Sequence, residues 1–250
     1  MQVHDWDEIA KDYFHGVVSP FANKVENPLY ADLKQIQHPE KLHVIDLGCG
    51  IGNLVPHVQN FARVACVDFS PGMLAEARNK YGHLEHVTFH EKDITELHEF
   101  HSKFDVAVAV NSFVMPDMRM IQKAFDEAFA VLKTGGNFFG IFPAMENVAY
   151  MFLLAYERHY ENLKSPKKAY ERASSDVQAD SYDFKTGHVE EEGFQKHYYL
   201  HGILHRLKKA GFSSIEFSKV KYPWKMAPVL NNTEYAKEEH WWDWYVRAKK

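Results

Sequence analysis

From residue 42 onward the chain alternates between two hydrophobic rhythms. Short apolar runs, HVIDL (43–47), RVACV (63–67), HVTFH (86–90), FDVAVAV (104–110) and NFFGIF (137–142), predict five strands. Runs this short and this uniformly apolar fit a parallel sheet covered on both faces. Between them, residues 54–61, 71–81 and 118–133 carry helical spacing. The second of these helices has Ser70 as N-cap and Pro71 at its first position, and it closes at Gly82; the third closes at Gly135-Gly136. Strands and helices alternating over short connections give a doubly wound α/β sheet, because right-handed crossovers place helices on both faces.

The flanks read differently. Trp6, Ile9, Ala10, Tyr13 and Phe14 form the stripe of an amphipathic helix, with Asp5 as its cap. After residue 143 the alternation stops for about fifty residues. The segments 144–164 and 166–177 look helical, and 182–199 has a hairpin character around Thr186-Gly187. The regular pattern then resumes with a helix over 201–210, Leu204 and Leu207 facing inward and Gly211 as its stop. Two further strands are expected, SIEFSKVKY (214–222) and WDWYVRAK (242–249). The chain thus reads as one domain, 1–250, in which 144–200 is an insertion on the core sheet. Structured insertions at strand ends usually cover a site.

Composition narrows the function classes. The 250 residues are 46% hydrophobic and 25% charged, the proportions of an ordinary globular protein. With 29 Lys plus Arg against 34 Asp plus Glu the net charge is −5, which disfavours a grip on a long phosphate backbone. No apolar run approaches the roughly 18 residues of a membrane span. The opening MQVHDWDEIAKDYF has acids and no apolar stretch, so no signal peptide is expected. Two cysteines, Cys49 and Cys66, make no disulfide framework. A reducing cytoplasm fits these features.

The chemistry concentrates in VIDLGCGIG (44–52), a strand ending in alternating glycines before a helix. Glycine lets backbone approach a ligand, and a helix start offers free N–H groups. The dinucleotide fingerprint is G-x-G-x-x-G, but counted from Gly48 its third glycine position is Asn53. The spacing here is Gly48, Gly50 and Gly52, with Asp46 two residues ahead. This resembles the first signature, D-x-G-x-G-x-G, of the class I S-adenosylmethionine-dependent methyltransferases. The resemblance extends to VDFSPGMLAEA (67–77), EKDI (91–94), NSF (111–113) and LKTGGNFFGIF (132–142), and W-D-x-x-A-x-x-Y (6–13) resembles the lid helix of small-molecule members.

The resemblance implies a Rossmann-like, seven-stranded, mostly parallel sheet with an antiparallel last strand and a helical and hairpin insertion between the fifth and sixth strands. It divides the domain into lid helices (1–41), a cofactor-binding core (42–143), a substrate-covering insertion (144–200) and a C-terminal helix and strands (201–250). It implies S-adenosylmethionine as cofactor and S-adenosylhomocysteine as product. Asp68 would accept both ribose hydroxyls, a task suited to an ionised carboxylate. Phe69 and Met73 would line the adenine face, Asp93 would accept from the exocyclic amine, and Ile94 would pack beside it. Tyr13, Asp46, Gly48, Cys49, Gly50 and Asn53 complete the cofactor set, with Asn111, Ser112 and Phe113 near the methionine amine. The N-P-P-Y type of base-methylating and amide-methylating enzymes is absent at 111–113.

Other readings of these residues stay open. The glycines could form only a tight turn, Asp68 only a helix cap, and Asp93 only a turn residue. His197, His201 and His205, spaced by four, would make a metal face on one continuous helix, but the helix is expected to begin near His201, and no metal is expected. The aromatic residues of the insertion have core spacing, and Glu190, Glu191 and Glu192 read as a solvated turn.

The reaction implied is in-line displacement at the sulfonium methyl group by an O or N atom of a small-molecule acceptor. Tyr13, His15, Tyr156, His159, His188 and Tyr199 are the candidate bases or orienting groups. The expected partners are that small molecule, no nucleic acid and no membrane, in a monomer or homodimer. The alternatives are an RNA or protein methyltransferase, which should show a basic or elongated acceptor surface, and an aminopropyl transferase. The latter should present an acidic pair where Asn111 and Ser112 stand, with Asp117 the nearest acid. A non-catalytic module binding the cofactor or its product is the third.

Overall fold

The computed structural model describes residues 18–190, 195–227, 235 and 237–250. The predicted helix around Trp6 to Phe14, with Asp5, Tyr13 and His15, therefore lies outside the described residues, as do Glu191 and Glu192. The elements that build the sheet are β1 (His43–Leu47), β2 (Arg63–Asp68), β3 (Val87–Glu91), β4 (Phe104–Val110) and β5 (Leu132–Pro143). They are joined by α2 (Val55–Val58), α3 (Pro71–Tyr81) and α4 (Met118–Val131), and preceded by α1 (Leu29–Gln35). After β5 come α5 (Met145–Leu163), α6 (Pro166–Asp176) and three two-residue strands, β6 (Tyr182–Asp183), β7 (His188–Val189) and β8 (Gln195–Lys196). The chain finishes with α7 (Leu200–Ala210), β9 (Ser213–Tyr222) and β10 (Trp241–Lys249).

Seven strands form one sheet in the order β3-β2-β1-β4-β5-β10-β9. The first five run parallel, and β10 is antiparallel to both β5 and β9. This is the Rossmann-like architecture the sequence implied. Because side chains alternate across a strand, each strand feeds two cores. Val44, Cys66, Val106 and Ile141 face α1, α2, α3, α5 and α6, while Ile45, Val67, Ala107 and Phe138 face α4 and α7. α4 turns Ile121, Ala124, Phe125, Ala128 and Val131 to the second core, all with no exposed surface.

Local signals act where they were read. The Ser70 hydroxyl accepts the Met73 N–H at 3.1 Å and caps α3, and Gly211 ends α7 with φ +108°. Three expectations are corrected. The helix predicted over 54–61 is one turn, Val55–Val58. The helix predicted to 133 ends at Val131: Leu132 already pairs with Phe104, and Gly135 and Gly136 lie within the strand segment, bonded to Lys250 through Gly135 N–H to Lys250 O at 3.1 Å and Lys250 N–H to Gly136 O at 3.0 Å. Finally, Ile203 joins Leu207 in the core where Leu204 was expected, and Leu204 is half-buried.

The hairpin expected at Thr186-Gly187 is present, with Gly187 at φ +75°, and a third strand, β8, extends it. This small sheet is tied to the core at its exit: Tyr198 N–H donates to Pro143 O at 2.7 Å and Met145 N–H to Tyr198 O at 3.0 Å. Glu146 adds a side-chain clasp, accepting from Leu200 N at 2.8 Å and from Trp244 Nε1 at 2.8 Å. No helix among the described residues is long and apolar enough to cross a membrane.

Candidate active site

In a doubly wound sheet the strand order reverses at one point, and the crevice beyond the carboxyl ends of the strands there is the natural ligand site. Here the reversal falls between β1 and β4. The turn after β1 is held down by β2, with the Gly48 and Cys49 N–H groups both donating to Val67 O, at 2.8 and 2.9 Å. Gly48 has φ +78°, and a Cβ on it would sit 2.4 Å from the Ser112 Cβ, so neither its conformation nor its neighbours admit a side chain. Gly50 has φ +51° and nothing within 4 Å of where a Cβ would be; it presents bare backbone to open space. The Ser112 hydroxyl fixes the facing loop by donating to Leu47 O at 2.5 Å.

Two connected lobes open from this turn. The larger, about 350 Å³, is lined by Gly48, Gly50, Asp68, Phe69, Met73, Asp93, Ile94, Asn111 and Ser112 on one side. Its other side is Val114, Met115, Pro116, Asp117, Met120 and Gln195. The smaller, about 60 Å³, is bounded by Asp46, Gly48, Cys49, Gly50, Asn53 and Asn111, under Val18 to Phe21. The lobes share Gly48, Gly50, Val110 and Asn111.

Asp68 ends β2 with a fixed carboxylate: Oδ2 accepts from Gly50 N at 2.8 Å and Oδ1 from Ser70 N at 3.0 Å. Asp68 also lines the larger lobe, so these bonds orient the carboxylate beside the ligand space. Asp93 is oriented by an Asx turn, Oδ1 accepting the Thr95 N–H at 2.8 Å. Asp46 is buried, and burial together with the nearby Asp68 charge pushes its carboxyl up to about 8. No cation reaches Asp46 among the described residues. Asn111 adopts φ +50°, its Nδ2 donates to Asp243 Oδ2 at 3.2 Å, and the same Oδ2 accepts from the Tyr222 hydroxyl at 2.6 Å. Burial raises the Asp243 carboxyl to about 6.

The expected cofactor residues that are described therefore converge on the cleft, with one exception. Phe113 has no exposed surface and packs on Phe125, Phe138 and Phe142; its carbonyl accepts from the Tyr198 hydroxyl. It belongs to the core, because the chain turns inward immediately after Ser112. The candidate bases do not converge. Tyr156 stacks on Phe152 and Tyr160 along α5, and His159 bonds Asp176 of α6 at 2.7 Å. The Tyr199 hydroxyl donates to Phe184 O at 2.7 Å. His188 is buried, with Nε2 2.9 Å from Pro116 O and Nδ1 2.8 Å from Thr186 Oγ1, so it braces the cleft wall from behind. His201 and His205 are exposed on α7 while His197 precedes that helix against Tyr182, so the three form no metal face.

Sequence reasoning missed Gln195, the described insertion residue that lines the cleft, and the apolar wall Val114, Met115, Pro116 and Met120. The Lys196 N–H bond to Val114 O, at 3.0 Å, helps bring Gln195 there, and no local pattern announces a contact across 82 residues.

A parallel sheet with an acid-tipped second strand and a glycine turn at the switch point defines a nucleoside-binding methyltransferase-type fold. Residues 44–136 match the family described as "Methyltransferase domain". The chain is 30% identical over 190 residues to a demethylmenaquinone methyltransferase of Chlorobaculum parvum, covering 74% of this chain and 71% of that one. It is 38% identical over 107 residues to the protein of the same name from Leptospira interrogans, 40% of this chain and 42% of the relative. That match spans less than half of the Leptospira protein's length. Among solved structures, an S-adenosylmethionine-dependent methyltransferase from Methanosarcina mazei has the same fold: TM-score 0.60, 16% identity, 89% of this chain and 97% of that chain. The chain belongs to the class I S-adenosylmethionine-dependent methyltransferases, an enzyme family whose cofactor is S-adenosylmethionine. The residues present suit that cofactor: a bare Gly50 backbone facing open space, a fixed Asp68 carboxylate and a buried Asp46 with no cation beside it among the described residues.

Proposed function

We propose that this protein transfers the methyl group of S-adenosylmethionine to a small-molecule acceptor. The observation that carries this reading is the two-lobed cleft beside Gly50, with Asp68 on one side and an apolar wall on the other. In this reading Asp68 holds the ribose hydroxyls, Phe69, Met73 and Ile94 enclose the adenine, and Asp93 accepts from its amine. Asp46 receives the ammonium end of the cofactor over Gly48 and Gly50, flanked by Cys49, Asn53, Asn111 and Ser112.

The cofactor supplies an activated methyl on a sulfonium centre; the chain has to align acceptor and donor and keep water out. Val114, Met115, Pro116, Met120 and Gln195 form the acceptor side, so the insertion acts as its cover. Four of these five side chains are apolar. The carboxylate on the same wall, Asp117, is a weak base because Arg119, paired with it at 3.1 Å, holds it below the usual carboxylate range. The acceptor accordingly brings its own nucleophile, an O or N atom already able to attack. A ring carbon is the second reading, favoured by the relatives named as demethylmenaquinone methyltransferases. The net charge of −5 supports a small acceptor over a nucleic acid. The reading includes a cytoplasmic monomer or homodimer.

Methyl-labelled cofactor incubated with a panel of phenols, amines and reduced naphthoquinones tests this. Label moving to one class, with S-adenosylhomocysteine formed in equal amount, is the expected result. Tight cofactor binding with no transfer across the panel would identify a non-catalytic binding module instead.

A further inference from the structure

Among the described residues, one cluster of metal-ligating side chains lies apart from the cleft. His98 opens the short 3-10 turn His98–Phe100, and His101 follows it directly. Residues three apart eclipse one another in a 3-10 turn, so both imidazoles leave it on one side. There they meet Glu127, a carboxylate only 7% exposed on the largely apolar inner face of α4. His101 Nε2 stands 2.9 Å from Glu127 Oε2, and His98 Nδ1 stands 4.0 Å from Oε1. One ligand atom from each residue lies within 4.8 Å of the other two. Neither the cofactor site nor the acceptor wall uses any of them.

We propose that His98, His101 and Glu127 form a binding site for a divalent transition-metal ion of the zinc class. Two imidazole nitrogens and one carboxylate are the donor set zinc takes, whereas magnesium and calcium prefer all-oxygen sites. Zinc bonds of about 2.0–2.2 Å place tetrahedral ligand atoms about 3.3 Å apart. His101 and Glu127 are already closer than that. The His98 side chain, 77% exposed, closes the remaining distance by rotation. The ion takes the place of the hydrogen between His101 Nε2 and Glu127 Oε2, the single proton of the neutral imidazole then residing on Nδ1, and water takes the fourth position. Lys92 and Lys123 do not compete for Glu127, being paired with Glu99 at 2.8 Å and Glu96 at 3.4 Å.

The placement gives the ion a task. Leu97 N–H already donates to Glu127 Oε2 at 2.9 Å, so Glu127 is where the loop after β3 is fastened to α4. That loop carries Asp93 and Ile94 into the cleft. A metal at Glu127 staples the loop without touching the cleft.

The test uses the full chain, stripped with a chelator and titrated with Zn²⁺ against a chromophoric competitor, with Co²⁺ absorption reporting the ligand field. One equivalent is expected to bind, and His98→Ala and Glu127→Gln should each weaken it at least about tenfold. Zn²⁺ should raise the Tm of the wild type but not of the variants. Because His98 is so exposed, His98→Ala keeps the fold and the wild-type affinity for S-adenosylmethionine, which separates loss of the metal from loss of structure. The chain has 16 histidines, so His201→Ala/His205→Ala serves as the control and should bind normally. Absence of binding, binding unchanged in His98→Ala, or binding lost only in the control would each overturn the assignment.

Discussion

Both carboxylate oxygens of Asp68 accept backbone N–H groups, which fixes the carboxylate before any ligand arrives. Hydrogen bonding to a charged group is worth about 1.5–3 kcal/mol, so Asp68→Ala should weaken S-adenosylmethionine binding by about that amount in total, measured calorimetrically. Asp46 makes a different prediction. Its carboxyl is pushed up to about 8, so the native ligand-free protein holds a proton there that the unfolded chain releases near pH 4. Stability from this group is complete below pH 4 and is lost as pH rises toward 8. Asp46→Asn should flatten that decline in urea melts taken between pH 5 and 8. It should also remove the part of cofactor affinity that grows as Asp46 ionises; the titration of the cofactor's own amine is common to both proteins and cancels. A melt of Asp46→Asn that keeps the wild-type pH slope would contradict the assignment.

At the scale of elements, legibility followed locality. β1 and β4 were read to the residue, and α3 as well, because apolar runs and the Ser70-Pro71 start are written in consecutive positions. The α4–β5 junction was misplaced because a glycine pair signals a break without saying whether a helix or a strand surrounds it. Gly135 and Gly136 sit in the strand since Lys250 supplies their bonding partner from the far end of the chain. The residues lining the cleft around Gly48 and Asp68 were legible because the glycine turn and the acids at strand ends keep fixed spacings. Phe113 was misassigned and Gln195 missed for a shared reason: each position is decided by contacts with the insertion. Three carbonyls of the loop after β4 are held from that side, Phe113 by the Tyr198 hydroxyl, Val114 by Lys196 N–H and Pro116 by His188. Tyr198→Phe keeps the ring packing but strands a buried carbonyl, and should cost about 1–3 kcal/mol in denaturant unfolding. His188→Ala should raise the acceptor KM several-fold while leaving cofactor affinity unchanged in calorimetry, since the Pro116 carbonyl it holds lies on the wall proposed for the acceptor.

For the whole molecule, the two cores on either side of the sheet make the cleft a rigid seam, and its ligand binds the native state alone. Cofactor at 100 times Kd should then stabilise the chain by about 2.7 kcal/mol. In a domain of this size that raises Tm by about 5–10 °C in a thermal melt. With 34 Asp plus Glu against 29 Lys plus Arg, the chain as a whole does not attract a polyanion, and on the reading of a small acceptor salt should have little influence on its turnover.

Calorimetric titration of S-adenosylmethionine and S-adenosylhomocysteine into the wild type and into Asp68→Ala tests the central claim most directly. Saturable binding of both ligands at one site, weakened about 10-fold to 150-fold by the substitution, is the predicted result. Wild-type affinity in Asp68→Ala, or no binding of either ligand to the wild-type chain, would contradict the account and leave the glycine turn with a structural role only.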